Sequence, residues 1–209
     1  MARRLRAVVF DLDGTLSRPG AIDFLRLRAR LAMPSSHPDI LEWCKAQPAE
    51  RRAALLRVVE EEEEAGLAKL QLNAGAAELF SYLAARDPRL KSGVLTRNNA
   101  SAMRRSLQQL GLLGGGALHE FDVLLSRDCA APKPSPAGLL HMAGGWGIDA
   151  GAMAMVGDAP DDMQAALAAG ALAVAIGDDE AAAELAHHRI SHLGELVPLL
   201  AELEEEARA

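Results

Sequence analysis

Two aspartates separated by one residue directly follow the first apolar segment of the chain. This segment, Ala7–Phe10, is continuously apolar and leads into Asp11 and Asp13. Open α/β sheets bind their ligands beyond the carboxyl ends of the strands, so a strand over Ala7–Phe10 places Asp11 where a site is expected. Two adjacent carboxylates repel each other unless a cation is present, and Mg²⁺, which prefers oxygen ligands, would remove that repulsion. The alternative is that both aspartates only end the strand and begin a turn, which Gly14 permits.

A second group of acids follows a later apolar segment. The apolar run Met153–Val156 is followed at once by Gly157-Asp158-Ala159-Pro160-Asp161-Asp162. Three carboxylates so close to a buried strand need a counter-charge. Asp161 and Asp162 also stand where a helix would begin, and the helix dipole stabilises acids there, so a capping role is the alternative for Asp161. That alternative is weaker for Asp158, which we predict to be part of a site.

A threonine and a lysine add groups that suit phosphate. Thr96 follows the apolar segment Gly93–Leu95, and its hydroxyl can hydrogen-bond a phosphate oxygen. Lys133 lies between Pro132 and Pro134, which stiffen the loop, and lysine supplies a point charge suited to phosphate. Taken singly, neither residue indicates a function. Each follows a predicted strand or precedes a predicted helix at the same edge of the sheet.

The apolar segments predict a parallel sheet that is covered by helices on both faces. Continuous apolar runs, rather than alternating ones, are typical of strands buried on both faces. Such runs occupy Ala7–Phe10, Gly93–Leu95, Val123–Leu125, Met153–Val156 and Leu172–Ile176. Helical patterns lie between them, over Ala74–Ala85, Ala100–Leu110, Pro136–Trp146, Asp161–Ala169 and Asp179–Ala186. This alternation predicts an α/β fold with a doubly wound, Rossmann-like parallel sheet.

The region between the first two strands interrupts this alternation. From Ser17 to Asn73 the sequence has no strand pattern, and helical patterns cover residues 22–33, 38–46 and 48–70. Proline is tolerated at the start of a helix because the first turn needs no backbone donor. We therefore predict two domains. Residues 1–16 with 74–209 form the Rossmann-like core, and residues 17–73 form a small all-helical cap domain.

Taken in order, these residues resemble the motifs of the haloacid dehalogenase superfamily. Asp11-Leu12-Asp13-Gly14-Thr15 is similar to the first motif of that family, Thr96 to the second, Lys133 to the third, and Gly157-Asp158 with Asp162 to the fourth. The similarity extends over nearly the whole chain. It points to the subgroup of phosphoglycolate-phosphatase-like hydrolases, which have a helical cap after the first motif.

The resemblance implies a catalytic role for four residues. It makes Asp11 a nucleophile that forms an aspartyl-phosphate, and Asp13 a general acid and base. It makes Thr96 and Lys133 ligands of the transferring phosphoryl group. An aspartate at position 13 favours phosphatase over dehalogenase activity, since a departing halide needs no proton.

The resemblance also implies a magnesium site and contacts with substrate. It places Mg²⁺ on the Asp11 side chain, the Asp13 main-chain carbonyl and Asp158, with Asp162 supporting the metal site or Lys133. Further candidates for contact with substrate are Gly14, Thr15, Arg97 and Asn98. For Arg97 the alternative is a surface salt bridge.

The function expected from these residues is Mg²⁺-dependent hydrolysis of a small phosphorylated metabolite. A phosphomutase of the same superfamily is an alternative, because it would use the same residues and move phosphate within its substrate. The alternative of another class is a binding or regulatory protein that keeps the fold without catalysis. Such proteins often lose one motif acid, and all of these acids are present here.

Composition and charge exclude several other classes. Half of the 209 residues are hydrophobic, and the formal charge of −7 argues against a general grip on nucleic acid. Cys44 and Cys129 are far apart, so a disulfide scaffold is not expected and a reducing cytoplasm fits. No apolar run approaches the roughly 18 residues that span a bilayer. We therefore expect a cytoplasmic monomer or homodimer that binds neither nucleic acid nor membrane.

Overall fold

One parallel β-sheet organises the larger part of the chain. The computed structural model describes residues 4–21, 23–34, 37, 40–86 and 88–208. The strands are β1 (Ala7–Phe10), β2 (Lys91–Leu95), β3 (Val123–Leu125), β4 (Met153–Gly157), β5 (Leu172–Ile176) and β6 (His188–Ile190). They form one sheet in the order β3-β2-β1-β4-β5-β6, and each neighbouring pair is parallel. The predicted doubly wound α/β fold is confirmed.

Helices connect the strands and fill the region before β2. They are α1 (Phe24–Arg30), α2 (Ile40–Lys45), α3 (Ala49–Leu67), α4 (Ala76–Ala85), α5 (Ala100–Gln109), α6 (Ala137–Trp146), α7 (Pro160–Ala169), α8 (Glu180–Leu185) and α9 (Leu196–Glu206). The helix starts predicted at residues 22 and 38 lie outside the described residues. In the part of the chain that the structure describes, no helix is both long and apolar enough to cross a membrane.

Apolar side chains cover both faces of the central strand. All four residues of β1 are buried. Val9 packs in one cluster with Met142 of α6 and Met163 of α7. Phe10 points to the opposite face, where its ring meets that of Phe80 in α4 with the centroids 6.2 Å apart. Coverage on both sides is the reason that the sequence of β1 is continuously apolar rather than alternating.

The order of the strands reverses beside β1. From β1 the chain continues to β2 and β3 on one side of the sheet and then crosses to β4 on the other side. Phe10 is in register with Val94 of β2 and with Val156 of β4. At such a switch point a crevice opens beyond the carboxyl ends of the strands. Residues that follow these three strands are therefore brought to the same crevice.

The chain divides into two compact units, Met1–Pro19 with Gln71–Ala209 and Gly20–Leu70. Residues 17–19 and 71–73, which the sequence assigned to the helical domain, lie in the first unit. They do so because the two connections pair with each other. Ser17 and Leu72 form an antiparallel bridge, and the backbone N–H of Arg18 donates to the carbonyl of Gln71 at 2.8 Å.

The second unit, which we call the helical unit, has its own small core. It contains α1, α2 and α3, and its buried apolar side chains are Leu27, Leu31, Met33, Trp43, Cys44, Leu55 and Val59. Trp43 belongs to this core, and the guanidinium of Arg51 lies 5.6 Å from the centre of its ring. Trp43 therefore packs the helices of this unit together.

Two elements near the C-terminal end lie outside the predicted alternation of strands and helices. The strand β6 has three residues, and His188 and Arg189 give it no apolar run. It is stabilised by pairing with β5 at the edge of the sheet, and the local sequence pattern does not predict this contact. Helix α9 carries Pro198 in its first turn, where proline is tolerated, and ends in an acidic run.

Candidate active site

Three predicted site residues follow neighbouring strands directly. Asp11 comes after β1, Thr96 after β2 and Asp158 after β4. The backbone N–H of Asp11 donates to the carbonyl of Val156 at 2.9 Å, so strand pairing continues one residue past β1. Asp11 and Thr96 are buried and Asp158 is half-buried. The parallel sheet thus brings three residues that are distant in sequence to one edge.

Lys133 is a buried cation at this edge. Its Nζ lies 2.5 Å from Oδ1 of Asp11 and 2.5 Å from Oδ1 of Asp162, and only 3% of its side chain is exposed. Burial alone would lower the pKa of Lys133, but the negative charges of Asp11 and Asp162 outweigh burial and raise it. The lysine is therefore a fixed positive charge held between two carboxylates.

Three carboxylates converge beside this lysine. Asp11, Asp158 and Asp162 each offer an oxygen, and these atoms lie within 4.8 Å of one another. Burial and the charges of Asp11 and Asp162 raise the pKa of Asp158 to about 7. Burial and Asp11 also raise the pKa of Asp162. Lys133 balances one of the three charges, and carboxylate oxygens are the donors that hard cations prefer, so this donor set fits a metal ion.

Asp162 is held by the protein through both of its oxygens. Oδ1 faces Lys133, and Oδ2 accepts a hydrogen bond from the backbone N–H of Ala159 at 3.1 Å. A Cβ at position 157 would lie 2.3 Å from the Asp162 carboxyl carbon, so Gly157 lets this carboxylate approach the end of β4. The sequence predicted that Asp162 supports either the metal site or Lys133, and its ion pair with Lys133 favours the second role.

Gly14 lets the chain turn back against Asp158. Residues Leu12–Leu16 form a wide turn, which is closed by a hydrogen bond from the backbone N–H of Ser17 to the carbonyl of Leu12 at 2.9 Å. Gly14 has φ 86°, and a Cβ there would lie 2.0 Å from Oδ2 of Asp158. Both the conformation and the lack of space require glycine at this position.

The same turn is held by a residue that the sequence analysis did not identify. Nδ2 of Asn73 donates to the carbonyl oxygens of Gly14 and Thr15, at 3.3 and 3.0 Å. The Thr15 side chain is buried, and its Oγ1 has no hydrogen-bond partner among the described residues. Gly14 and Thr15 thus shape the turn in this structure. Their predicted contact with substrate stays a prediction.

Asp13 lies on the open side of the site and is held by Asn98. Nδ2 of Asn98 donates to Oδ2 of Asp13 at 2.7 Å. The Asp13 side chain is reachable by water, yet it lies among protein atoms. This partial desolvation and the charge of Asp11 raise its pKa to about 6, against the opposing effects of Asn98 and Lys133. A carboxyl group that titrates near neutrality can both give and take a proton.

Arg97 is paired at the surface in the described structure. Its Nη1 lies 2.7 Å from Oδ2 of Asp161, and 58% of the arginine side chain is exposed. Asp161 lies in the first turn of α7, where the helix dipole also stabilises an acidic side chain. These contacts correspond to the alternatives that the sequence left open for both residues. An exposed pair of this kind contributes about 1 kcal/mol or less.

The assembled residues have the groups needed for nucleophilic transfer of an anionic group. Asp11 offers a carboxylate next to the fixed cation of Lys133. Asp13, two residues further along the chain, can give and take a proton. Oγ1 of Thr96 accepts a hydrogen bond from the backbone N–H of Asn98 at 3.1 Å, so its own O–H can be donated to an oxyanion. Attack by a carboxylate, proton transfer and charge stabilisation are therefore all available at one edge of the sheet.

Comparisons with known proteins agree with one another. Residues 5–170 match the family model described as haloacid dehalogenase-like hydrolase. A haloacid dehalogenase-like hydrolase domain-containing protein of Arabidopsis thaliana is 32% identical over 180 residues, which cover 80% of this chain and 69% of that protein. A phosphoglycolate phosphatase of Rhodospirillum rubrum is 32% identical over 195 residues, covering 79% and 76%. The crystal structure of a predicted phosphoglycolate phosphatase from Haemophilus somnus has a TM-score of 0.74 at 18% identity, covering 94% of this chain and 98% of that one. This last likeness concerns the fold alone.

Proposed function

Because this chain belongs to the haloacid dehalogenase-like hydrolases, we propose that it is a Mg²⁺-dependent phosphatase that hydrolyses a phosphate monoester of a small molecule. One observation carries the proposal. The carboxylate of Asp11, at the end of β1, lies 2.5 Å from the buried ammonium of Lys133 and within 4.8 Å of oxygens of Asp158 and Asp162. Attack on an anionic phosphoryl group requires a carboxylate beside a fixed cation, together with a place for a second cation.

In the first step, an oxygen of Asp11 attacks phosphorus and forms an aspartyl-phosphate. The bond between phosphorus and the substrate oxygen breaks, and its electron pair stays on that oxygen, which takes a proton from Asp13. Lys133 and the hydroxyl of Thr96 stabilise the negative charge on the phosphoryl oxygens. Asp13 then carries a negative charge.

In the second step, a water molecule attacks the phosphorus of the aspartyl-phosphate. Asp13 takes a proton from that water, and the bond between phosphorus and Asp11 breaks. Inorganic phosphate leaves, and both aspartates return to their starting states. Two moderate barriers thus replace the one high barrier of direct hydrolysis.

The residues that would hold Mg²⁺ are the side chains of Asp11 and Asp158 and the main-chain carbonyl of Asp13. When bound, the ion supplies positive charge that offsets the repulsion between a carboxylate nucleophile and phosphate. The fit rests on the donor set described above, in which three carboxylates face one lysine. Asp162 contributes by keeping that lysine in place.

The proposal is tested by the release of inorganic phosphate from a panel of small phosphate esters, with Mg²⁺ supplied. The name of the relative from Rhodospirillum rubrum makes phosphoglycolate the first ester to assay. We expect phosphate release by the wild type and none by D11N. A product in which phosphate has moved within the substrate, with no inorganic phosphate, would identify a mutase instead. Turnover of no ester would favour a binding or regulatory protein.

A further inference from the structure

A hydrogen bond joins Asn98 to Asp13 across 85 positions of sequence. The amide Nδ2 of Asn98 lies 2.7 Å from Oδ2 of Asp13, and Asn98 is half-buried. Resting on the proposed phosphatase function, we propose that Asn98 is a positioning residue, which holds the Asp13 carboxyl group so that Oδ1 exchanges the proton with the reacting oxygen. The sequence suggested instead that Asn98 contacts substrate.

The backbone of Asn98 is fixed on both sides. Its N–H donates to Oγ1 of Thr96 at 3.1 Å, and its carbonyl accepts from the N–H of Arg127 at 3.0 Å. The next residue, Asn99, caps α5 by accepting from the N–H of Ala102 at 2.8 Å. A side chain on such a rigid segment presents its amide in one place. It can therefore orient a partner with little loss of its own conformational freedom.

The hydrogen bond from Asn98 restricts the conformation of the Asp13 side chain. Asp13 lies in the wide turn, next to Gly14, with an exposed side chain that would otherwise sample several rotamers in water. The amide NH₂ group can only donate, so Oδ2 is an acceptor whether Asp13 is protonated or ionised. Oδ1 is then the oxygen left to carry the proton. The same hydrogen bond also stabilises the negative charge that Asp13 has between the two chemical steps.

Esters with different leaving groups separate this role from a general structural one. Phenyl phosphate releases a basic oxygen that needs a proton, whereas 2,4-dinitrophenyl phosphate releases a stable anion that does not. Because kcat/KM reports the attack step and kcat includes hydrolysis of the aspartyl-phosphate, the two constants respond differently. N98A removes the amide, and N98L keeps the branched shape of the side chain without the donor and without adding a charge. N99D is the matched control, since aspartate also caps a helix.

For both N98A and N98L, kcat/KM for phenyl phosphate should fall about 10- to 100-fold, and kcat/KM for the dinitrophenyl ester should stay within about twofold of wild type. The kcat for both esters should fall, because the second step uses Asp13 as a base. N99D should resemble the wild type on both esters. N98L keeps the test open if N98A does not fold.

Equal losses of kcat/KM on the two esters would overturn the role of Asn98, since a distorted site slows both attacks alike. Wild-type values for both variants on phenyl phosphate would overturn it as well. If the wild type released phosphate from neither ester, the phosphatase function itself would be wrong, and the role of Asn98 with it. The wild-type assay thus distinguishes failure of the function from failure of this inference.

Discussion

Two clusters of charged side chains in this molecule differ in their balance. The site cluster consists of Asp11, Lys133, Asp158 and Asp162. The helical-unit cluster consists of Arg26, Arg30, Glu61 and Glu62. In the second, two guanidinium groups face two carboxylates, with Arg30 lying 2.9 Å from Glu61 and 2.6 Å from Glu62. In the first, three carboxylates face one ammonium group.

The difference supports the proposal that the second cluster serves stability and the first serves chemistry. A balanced set of ion pairs between two helices, as in the second cluster, contributes modestly to folding and needs no ligand. An unbalanced, mostly buried set costs folding energy, and such a cost persists in proteins where function requires it. Burial, together with the charges of Asp11 and Asp162, raises the pKa of Asp158 and so disfavours its ionised form in the folded protein. Substituting one acid in each cluster should therefore have opposite consequences for activity and stability.

The largest effect is expected for Asp11, the proposed nucleophile. D11N keeps the shape of the side chain but offers no carboxylate to attack phosphorus, so kcat/KM for phosphate release should fall by at least about 10⁴-fold. The unfolding transition in urea should remain cooperative. E62Q, which makes the same chemical change in the helical-unit cluster, is the control and should keep its activity. Activity of D11N within tenfold of wild type would remove Asp11 from the mechanism.

The second prediction concerns the metal. Chelation of divalent ions should abolish phosphate release, and added Mg²⁺ should restore it. D158N should need a higher Mg²⁺ concentration for half-maximal rate because one carboxylate ligand is lost. In urea unfolding, Mg²⁺ should stabilise the wild type more than D158N, since only binding to the folded state raises the free energy of unfolding. Full activity in excess chelator would contradict the site.

The same variant should reveal the cost of the charge imbalance. The pKa of Asp158 is raised from 3.8 to about 7 in the folded protein, so the folded state holds this proton more tightly than the unfolded chain. In chelator, the stability that this proton confers is fully present below about pH 4 and is lost as the pH rises through about 7. At pH 8, D158N should therefore be more stable than the wild type by roughly 1 to 2 kcal/mol, allowing for solvent screening. A less stable D158N would show that the acids are not strained.

The smallest effect is expected in the helical unit. Glu62 is nearly buried and lies 2.6 Å from Nη1 of Arg30. E62Q keeps the shape but loses the charge, so the melting temperature should fall by roughly 2 to 4 °C. Glu61, whose side chain is 57% exposed, provides the matched control, and E61Q should leave the melting temperature unchanged. A large loss of activity in E62Q would break the contrast between the clusters.

Much of the sheet was predictable because strands buried on both faces have continuous apolar runs, which are visible in the local sequence. The continuous apolar run of β1 located the strand, and the position of Asp11 directly after it followed. The parallel arrangement then placed Thr96 and Asp158 at the same edge. Each of these inferences needs only the local pattern and the rule that parallel strands end together.

Contacts between distant parts of the chain could not be predicted in this way. Asn73 reaches the turn at Gly14 across 59 positions, and Asn98 reaches Asp13 across 85. Neither asparagine lies in a sequence pattern that predicts its partner, because the tertiary arrangement of the strands and loops determines which residues meet. Strand β6 was missed for a related reason, since its three residues are stabilised by β5 rather than by their own apolarity.

The most direct test of the central claim is detection of phosphate on Asp11. D13N lacks the base for the second step, and 2,4-dinitrophenyl phosphate needs no acid in the first, so their combination should accumulate the aspartyl-phosphate. After acid quenching, mass spectrometry should find one added phosphoryl group on the peptide that contains Asp11. The double variant D11N/D13N should show none. A phosphoryl group on another residue, or phosphate release by D13N with Asp11 unmodified throughout, would contradict covalent catalysis by Asp11.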